Sequence, residues 1–316
     1  MEYAIEARGL RKSFGEQEAV RGLDLAVRPG ELFALLGPNG AGKTTTIRML
    51  TTLLRPDGGT ARICGYDVVK EAGKVRGRIS VTGQYAALDE SLTGRQNLVL
   101  FAGLNGYPRK EAKKMADQLL ALFGLSEAGG RTVGTWSGGM RRRLDLAAGL
   151  LPHPEVMFLD EPTTGLDPQS RRDLWDAVRN LKMQGMTIVL TTQYLEEADQ
   201  LADRIGFIAG GRLVAVGTPA ELKGRYGGKT LTIRLAEGAD AAGVCRLLKD
   251  ECGLESQMEE DGRIVKASVR NAETAHAVVG TLLGGGTGVE DFALGEPSLE
   301  NVYFALNADG AREAAV

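Results

Sequence analysis

Gly37 to Thr44 reads GPNGAGKT and Val156 to Glu161 reads VMFLDE, and these two segments hold the side chains best able to do chemistry. The first fills the pattern GxxxxGKT, directly after an apolar run and directly before a helical pattern. Glycines in such a loop let successive backbone N–H groups turn inward around anionic phosphates, and the N-terminus of the following helix adds its dipole. Gly37, Pro38, Asn39, Gly40, Ala41, Gly42 and Thr45 would make that cradle. Lys43 would reach the β and γ phosphates of a nucleotide, and the Thr44 hydroxyl would help to hold Mg2+.

The second segment is an apolar strand that ends in two acids. Burying adjacent carboxylates brings no structural benefit unless a cation or a proton transfer uses them. Asp160 would bind Mg2+ through water, and Glu161 would polarise an attacking water as general base. Two acids at a strand end are a weak signal alone; beside a loop ending at Lys43 they become a strong one. A third stretch, TWSGGMRRRLDLAAGL from Thr135, places Ser137, Gly138 and Gly139 at the opening of a helix, where they would form a second anion site. The run Arg141-Arg142-Arg143 within it reads as a helix face packed near phosphate or solvent rather than a nucleic-acid surface.

The elements that must position these residues alternate along the chain. Residues 3 to 34 read as short strands with turns at Phe14-Gly15 and Pro29-Gly30, and Gly59 to Val68 adds another β piece, together a small antiparallel layer. Unbroken apolar runs at Leu32 to Leu36, Ile79 to Thr82, Val156 to Leu159 and Thr187 to Thr192 suit buried parallel strands of an α/β sheet. A helical subdomain is inserted over about residues 91–150, and a hairpin at Gly210-Gly211 closes a first domain of residues 1–223. Gly224, Gly227 and Gly228 read as a flexible joint over residues 224–228. Beyond it the order βαββαβ over residues 229–308, with a turn at Asp261-Gly262 and a final helix from Leu299 to Leu306, predicts a small α+β, ferredoxin-like domain. This domain carries no phosphate loop, metal cluster or triad, so it reads as regulatory or dimer-stabilising; residues 309–316 read as a disordered tail.

Composition narrows the classes. The chain has 316 residues, 43% hydrophobic and 25% charged, enough for one large and one small core. A net charge of -3, from 38 Lys and Arg against 41 Asp and Glu, argues against a general nucleic-acid surface. No apolar run approaches the roughly 18 residues that span a bilayer, and the N-terminus lacks an apolar targeting segment, so the chain is expected to be soluble without an anchor of its own. Cys64, Cys245 and Cys252 form no CxxC pair and suit a reducing compartment. A guanine-reading NKxD is absent, which excludes the usual GTPase, and there is no second cassette or long coiled-coil insertion of the kind translation or repair ATPases carry.

With all three motifs in order, the sequence resembles the ATP-binding subunits of ABC transporters over about residues 3–222. Their signature LSGGQ stands here with Trp136 for Leu and Met140 for Gln, its Ser-Gly-Gly core intact. The resemblance implies that Phe14 stacks on adenine, that Gln84 touches Mg2+ and links the site to the helical subdomain, and that Gly165-Leu166-Asp167 crosses between two subunits. It also implies that Ser137 and Gly139 contact the γ-phosphate held by the Lys43 of a partner copy. The histidine usual after the next strand is replaced by Gln193, which can donate and accept a hydrogen bond but cannot become cationic. Hydrolysis is expected to persist, with Glu161 as base and Gln193 as a neutral orienting group. LDEPTTGLDPQSR, TTQYLEEADQLADRI and EPSLENVYFAL narrow the likeness to the daunorubicin-resistance type of drug exporter ATPase, an actinobacterial group that shares the Gln substitution. That implies a homodimer on the cytoplasmic face of a membrane, joined to separately encoded permease subunits and using ATP and Mg2+ for efflux of an amphipathic compound. The motor motifs do not encode direction, and a regulatory module that uses ATP only to dimerise remains the alternative from another class.

Overall fold

The computed structural model describes residues 2–83, 87–226, 228–259, 262–303 and 305–306. The expectations for Gln84, Gly227, Asp261 and the 309–316 tail fall outside the described residues. The chain forms two compact units, Met1–Val216 and Gly217–Val316.

In the first unit, β1 (Ile5–Phe14) and β2 (Gln17–Val27) make an antiparallel hairpin. β3 (Leu32–Leu36) is buried at every position and leads through the glycine-rich loop into α1 (Lys43–Leu50). β4 (Gly58–Ile63) pairs antiparallel with β1, and β5 (Tyr66–Asp67) with β4, so the predicted antiparallel layer has the order β2-β1-β4-β5. α2 (Ala72–Arg76) and β6 (Ile79–Thr82) follow.

The inserted helices are α3 (Gly94–Leu104), α4 (Arg109–Leu122) and α5 (Gly138–Gly149). α3 starts at a capping box: Thr93 accepts from the Gln96 N–H, and the Gln96 side chain accepts from the Thr93 N–H. Trp136, the departure from the family's leucine, is 3% exposed and seats its ring against Gly94, where a Cβ would lie 2.4 Å from Trp136 Cη2. The larger ring therefore fits because the first residue of α3 has no side chain.

β7 (Val156–Asp160), α6 (Pro168–Met183), β8 (Thr187–Thr192), α7 (Leu195–Leu201), β9 (Arg204–Ala209) and β10 (Arg212–Gly217) complete the sheet, whose order is β10-β9-β3-β8-β7-β6. β3, β8, β9, β7 and β6 run parallel in register, for example Leu36 beside Thr192 and Asp160 beside Thr191. Two apolar clusters lie in this unit. One, around Phe33, Leu35, Ile47 and Phe158, joins the sheet to the antiparallel layer; the other, around Leu32, Leu144, Met157 and Leu174, joins it to the inserted helices and α6.

The second unit opens with α8 (Pro219–Tyr226), which runs straight through Gly224. The expected joint at Gly224 is therefore helical, because one glycine costs a helix only about 1 kcal/mol. β11 (Lys229–Leu235), α9 (Ala241–Cys252), β12 (Ser256–Met258), β13 (Ile264–Val269), α10 (Ala272–Gly284) and β14 (Val289–Gly295) give an antiparallel sheet of order β12-β13-β11-β14. Leu231, Ile233 and Leu235 alternate into a core with Val265, Ala267 and Val269, covered by Val244 and Leu248 of α9 and Val278 and Leu282 of α10. This is the ferredoxin-like order. Residues 299–303 and 305–306 are helical, anchored by Asn301 Nδ2 donating to the Gly228 carbonyl at 3.0 Å. All three cysteines are free.

Candidate active site

Parallel strands with helical crossovers place their carboxyl ends at one edge of the sheet, where ligands bind. β3 ends at the phosphate loop, β7 at Asp160 and Glu161, and β8 at Thr192 and Gln193. Because β8 lies between β3 and β7, the last residues of β8 sit between the loop and the acids. The Gly37 N–H donates to the Thr192 carbonyl at 3.4 Å, which ties the start of the loop to that strand end.

The loop's glycines also meet close packing. A Cβ on Gly37 would lie 2.3 Å from the Ile208 carbonyl oxygen, and one on Gly42, whose φ is +105°, would lie 2.6 Å from that of Ala19. Gly42 is the N-cap of α1, with no side-chain cap bond, so the first N–H groups of the helix remain for a ligand.

Lys43 is 4% exposed, and burying an ammonium requires partners. Its Nζ donates to the carbonyls of Gly37 at 2.8 Å and Pro38 at 3.1 Å and lies 3.3 Å from Glu161 Oε1. Thr44 Oγ1 donates to Asp160 Oδ1 at 3.2 Å. Residues 116 or more positions apart in sequence thus meet as both motifs predicted. Thr44 and Asp160 offer a hydroxyl and a carboxylate, hard oxygen donors. Among the described residues no cluster of three His, Cys, Asp or Glu could hold a metal. A donor set this small fits Mg2+, which keeps several waters and takes the rest of its shell from substrate phosphates.

Glu161 holds a left-handed backbone, φ +48°, fixed by its N–H donating to the Thr191 carbonyl at 3.0 Å and to Thr191 Oγ1 at 3.1 Å. The Thr191 hydroxyl in turn donates to Asp160 Oδ1 at 2.5 Å, so one buried threonine orients both acids. Strain of this kind, held by surrounding bonds, is common where a side chain must be aimed. Thr164 Oγ1 also donates to Glu161 Oε2 at 3.3 Å.

Of the two surroundings expected for the Arg141-Arg142-Arg143 run, phosphate site or solvent, its middle member takes the first. Arg142 is 6% exposed and inserts between strand ends, Nε donating to the Pro162 carbonyl at 2.9 Å, Nη1 to Gly83 at 2.5 Å and Nη2 to Asp160 at 3.4 Å. Nη1 also lies 3.5 Å from Asp145 Oδ2. Burial outweighs the attraction within this pair at both ends: it pushes the Asp145 carboxyl up to about 6 and pulls the Arg142 guanidinium down.

Ser137 is the N-cap of α5, accepting from the Met140 N–H at 3.3 Å, and Gly139 lies against Ser170 of α6. Asp167 caps α6, accepting from the N–H groups of Gln169 at 3.0 Å and Ser170 at 2.9 Å; the Ser170 hydroxyl and N–H hold its carboxyl below the usual range. Among the described residues no hydrogen bond or ion pair joins Ser137, Gly138 or Gly139 to the phosphate loop. Phe14 ends β1 as a residue 53% exposed, with Lys12 Nζ 5.8 Å from its ring centre. Gln193 is partly exposed between Thr192 and Tyr194, and the Arg171 guanidinium stacks 4.8 Å above the Tyr194 ring.

No motif marks Thr191 or Glu197, and the sequence marks Arg142 only as one of three adjacent arginines. Arg142 shares a face with buried Leu146, and Glu197 with buried Leu201, each four residues on, and that spacing is the signal available in the sequence.

Comparison with known proteins agrees with this geometry. The ABC transporter family model matches residues 20–164. The daunorubicin/doxorubicin resistance ATP-binding protein DrrA of Streptomyces peucetius is 50% identical over 98% of this chain and 93% of its own length. The doxorubicin resistance ATP-binding protein DrrA of Mycobacterium tuberculosis is 46% identical over 97% and 94% respectively. Among solved structures, cbiO1 from Clostridium perfringens, described as part of the ABC transporter complex cbiONQ, superposes with a TM-score of 0.66 at 25% identity, covering 71% of this chain and 92% of that one. A phosphate loop and a pair of acids joined as found here, in a chain this similar over nearly its full length to those resistance proteins, place it in the ABC transporter family, among ATP-binding subunits of the daunorubicin-resistance type.

Proposed function

We propose that two copies of this chain hydrolyse ATP at sites shared between them and so drive export of an amphipathic drug or antibiotic through a separately encoded membrane subunit. The observation that carries this reading is the meeting of Lys43 with Glu161 and of Thr44 with Asp160. The loop N–H groups and the α1 terminus would receive the phosphates, and Lys43 would exchange its two carbonyl partners for β and γ phosphate oxygens. Thr44 and Asp160 would hold Mg2+, with Gln84 as a further ligand. Bound Mg2+ would neutralise charge on the β and γ phosphates. Glu161, aimed by Thr191, would take the proton from the attacking water, and Gln193 would orient the γ-phosphate as a neutral group. Phe14 offers an exposed ring for adenine.

Ser137 to Gly139 would serve the γ-phosphate of the partner copy, with Asp167 at the crossing. The second unit would act as a regulatory or dimer-stabilising domain. Among the described residues no helix is long and apolar enough to cross a membrane, in keeping with docking on the cytoplasmic face through a partner. The substrate class follows the names of the resistance proteins above. A dimerising module with slow hydrolysis is the second reading, favoured by the neutral Gln193. Purifying the chain with the membrane protein encoded beside it tests the proposal. A partner of about six spans and ATP turnover raised by amphipathic compounds are expected; a partner with one span or none, or turnover unmoved by any of them, would count against export.

A further inference from the structure

Glu197 is fully buried, 0% exposed, on the first turn of α7, and the hydrolytic steps above make no use of it. Among the described residues no ion pair compensates it, and a buried carboxyl of this kind is costly unless its neighbours use it. Burial pushes it up from the usual range, and the hydroxyls of Thr192 and Thr163, the Trp175 indole and the Arg171 charge oppose that shift. Trp175 Nε1 of α6 donates to its Oε1 at 3.1 Å. The Thr163 hydroxyl faces the carboxyl too, although neither Thr163 Oγ1 nor Glu197 Oε2 reaches full hydrogen-bond geometry with a described partner.

The decisive link is Thr192. Successive residues of a strand point to opposite faces, so Thr191 turns to Asp160 while Thr192 turns to α7. Tyr194 N–H donates to Thr192 Oγ1 at 2.9 Å, so the hydroxyl proton of Thr192 is not used in that bond, and the hydroxyl faces the Glu197 carboxyl. The peptide between Gln193 and Tyr194 is thereby bonded to a hydroxyl that faces a buried carboxyl. Through Thr163 the same acceptor faces the turn that follows Glu161, and Arg171, stacked on Tyr194, closes the arrangement from α6.

We infer that Glu197 is a positioning residue for hydrolysis, which holds the Gln193 backbone, through Thr192, in register with the loop that carries Glu161. The inference rests on the proposed role of Gln193 at the γ-phosphate. Steady-state ATP turnover of the full chain tests it with Glu197→Leu, Glu197→Gln, Thr192→Val and Gln193→Ala, the first three also built in the Gln193→Ala background. Glu197→Leu and Thr192→Val are expected to lower kcat on the order of 10-fold with KM for ATP changed by less than about 2-fold. Glu197→Gln, which keeps an acceptor for the Thr192 hydroxyl, is expected to retain turnover within about 2-fold. In the Gln193→Ala background none of the three should cost more than about 2-fold, a non-additivity that a general loss of stability would not produce.

Should Glu197→Leu fail to fold, Thr192→Val carries the same comparison, since it cuts the relay and leaves the carboxyl in place. A full additional loss in the Gln193→Ala background, with Gln193→Ala itself slow, overturns the coupling and leaves the hydrolysis reading standing. Gln193→Ala with unchanged kcat overturns the role of Gln193 and the coupling together.

Discussion

Removing the Arg142 guanidinium should be among the most damaging single changes in the first unit. Arg142→Ala strips the donors from the carbonyls of Pro162, Gly83 and Asp160 and leaves the Asp145 side chain, 11% exposed, with no counter-charge. Breaking a buried pair by deleting one partner costs about 3–5 kcal/mol, against a typical total of about 5–15 kcal/mol for a domain. With a urea slope of about 2 kcal/mol per molar, the midpoint should fall by roughly 2 M. Both tryptophans of the chain, Trp136 and Trp175, lie in this unit, so intrinsic fluorescence reports its unfolding alone. Much of the penalty is the stranded carboxylate, so Asp145→Asn in the Arg142→Ala background should recover about 1–2 kcal/mol. A loss below about 1 kcal/mol, or no recovery in the double variant, would refute the view that Arg142 holds the strand ends together.

The raised Asp145 group makes stability depend on pH: the stability it contributes is fully present below the ordinary value of 3.8 and is lost as pH rises through about 6. Wild type should therefore lose about 2 kcal/mol relative to Asp145→Asn between about pH 4.5 and about pH 7 in paired urea titrations; parallel curves would contradict the shift. Gln193→His should give turnover a new titration near the imidazole value of about 6.5, rising as pH falls relative to wild type; a flat ratio would place residue 193 away from the γ-phosphate. Gly139→Ala would set a Cβ 2.4 Å from Ser170 Oγ and 2.5 Å from Ser170 Cβ, costing about 1–3 kcal/mol by thermal denaturation, and Ser170→Gly should restore part of it.

The main architecture was legible because its signals are local. Apolar runs without alternation marked β3, β7 and β8 as buried strands, and GxxxxGKT between a strand and a helix fixed where α1 begins. The second unit's βαββαβ order was legible from alternation at Leu231, Ile233 and Leu235 and from helical spacing. What escaped depends on which strands become neighbours. Thr191 orients both acids only because β8 lies between β3 and β7, and no local pattern states that order. Arg142 sits among three arginines that read as one charged face, yet its i+4 relation to Leu146 turns it inward to carbonyls supplied by two other strand ends. Gly224 misled in the opposite direction: a glycine cluster resembles a joint, but the helix-forming run from Pro219 carries through it.

The proposed hydrolysis depends most on Glu161 as the base that activates water. Its direct test is ATP turnover and ATP binding by the full chain carrying Glu161→Gln, a change that keeps the size and hydrogen bonding of the side chain and removes its basicity. ATP should still bind, while turnover falls by about 100-fold or more. Turnover close to that of wild type, with ATP bound equally well, would contradict the assignment.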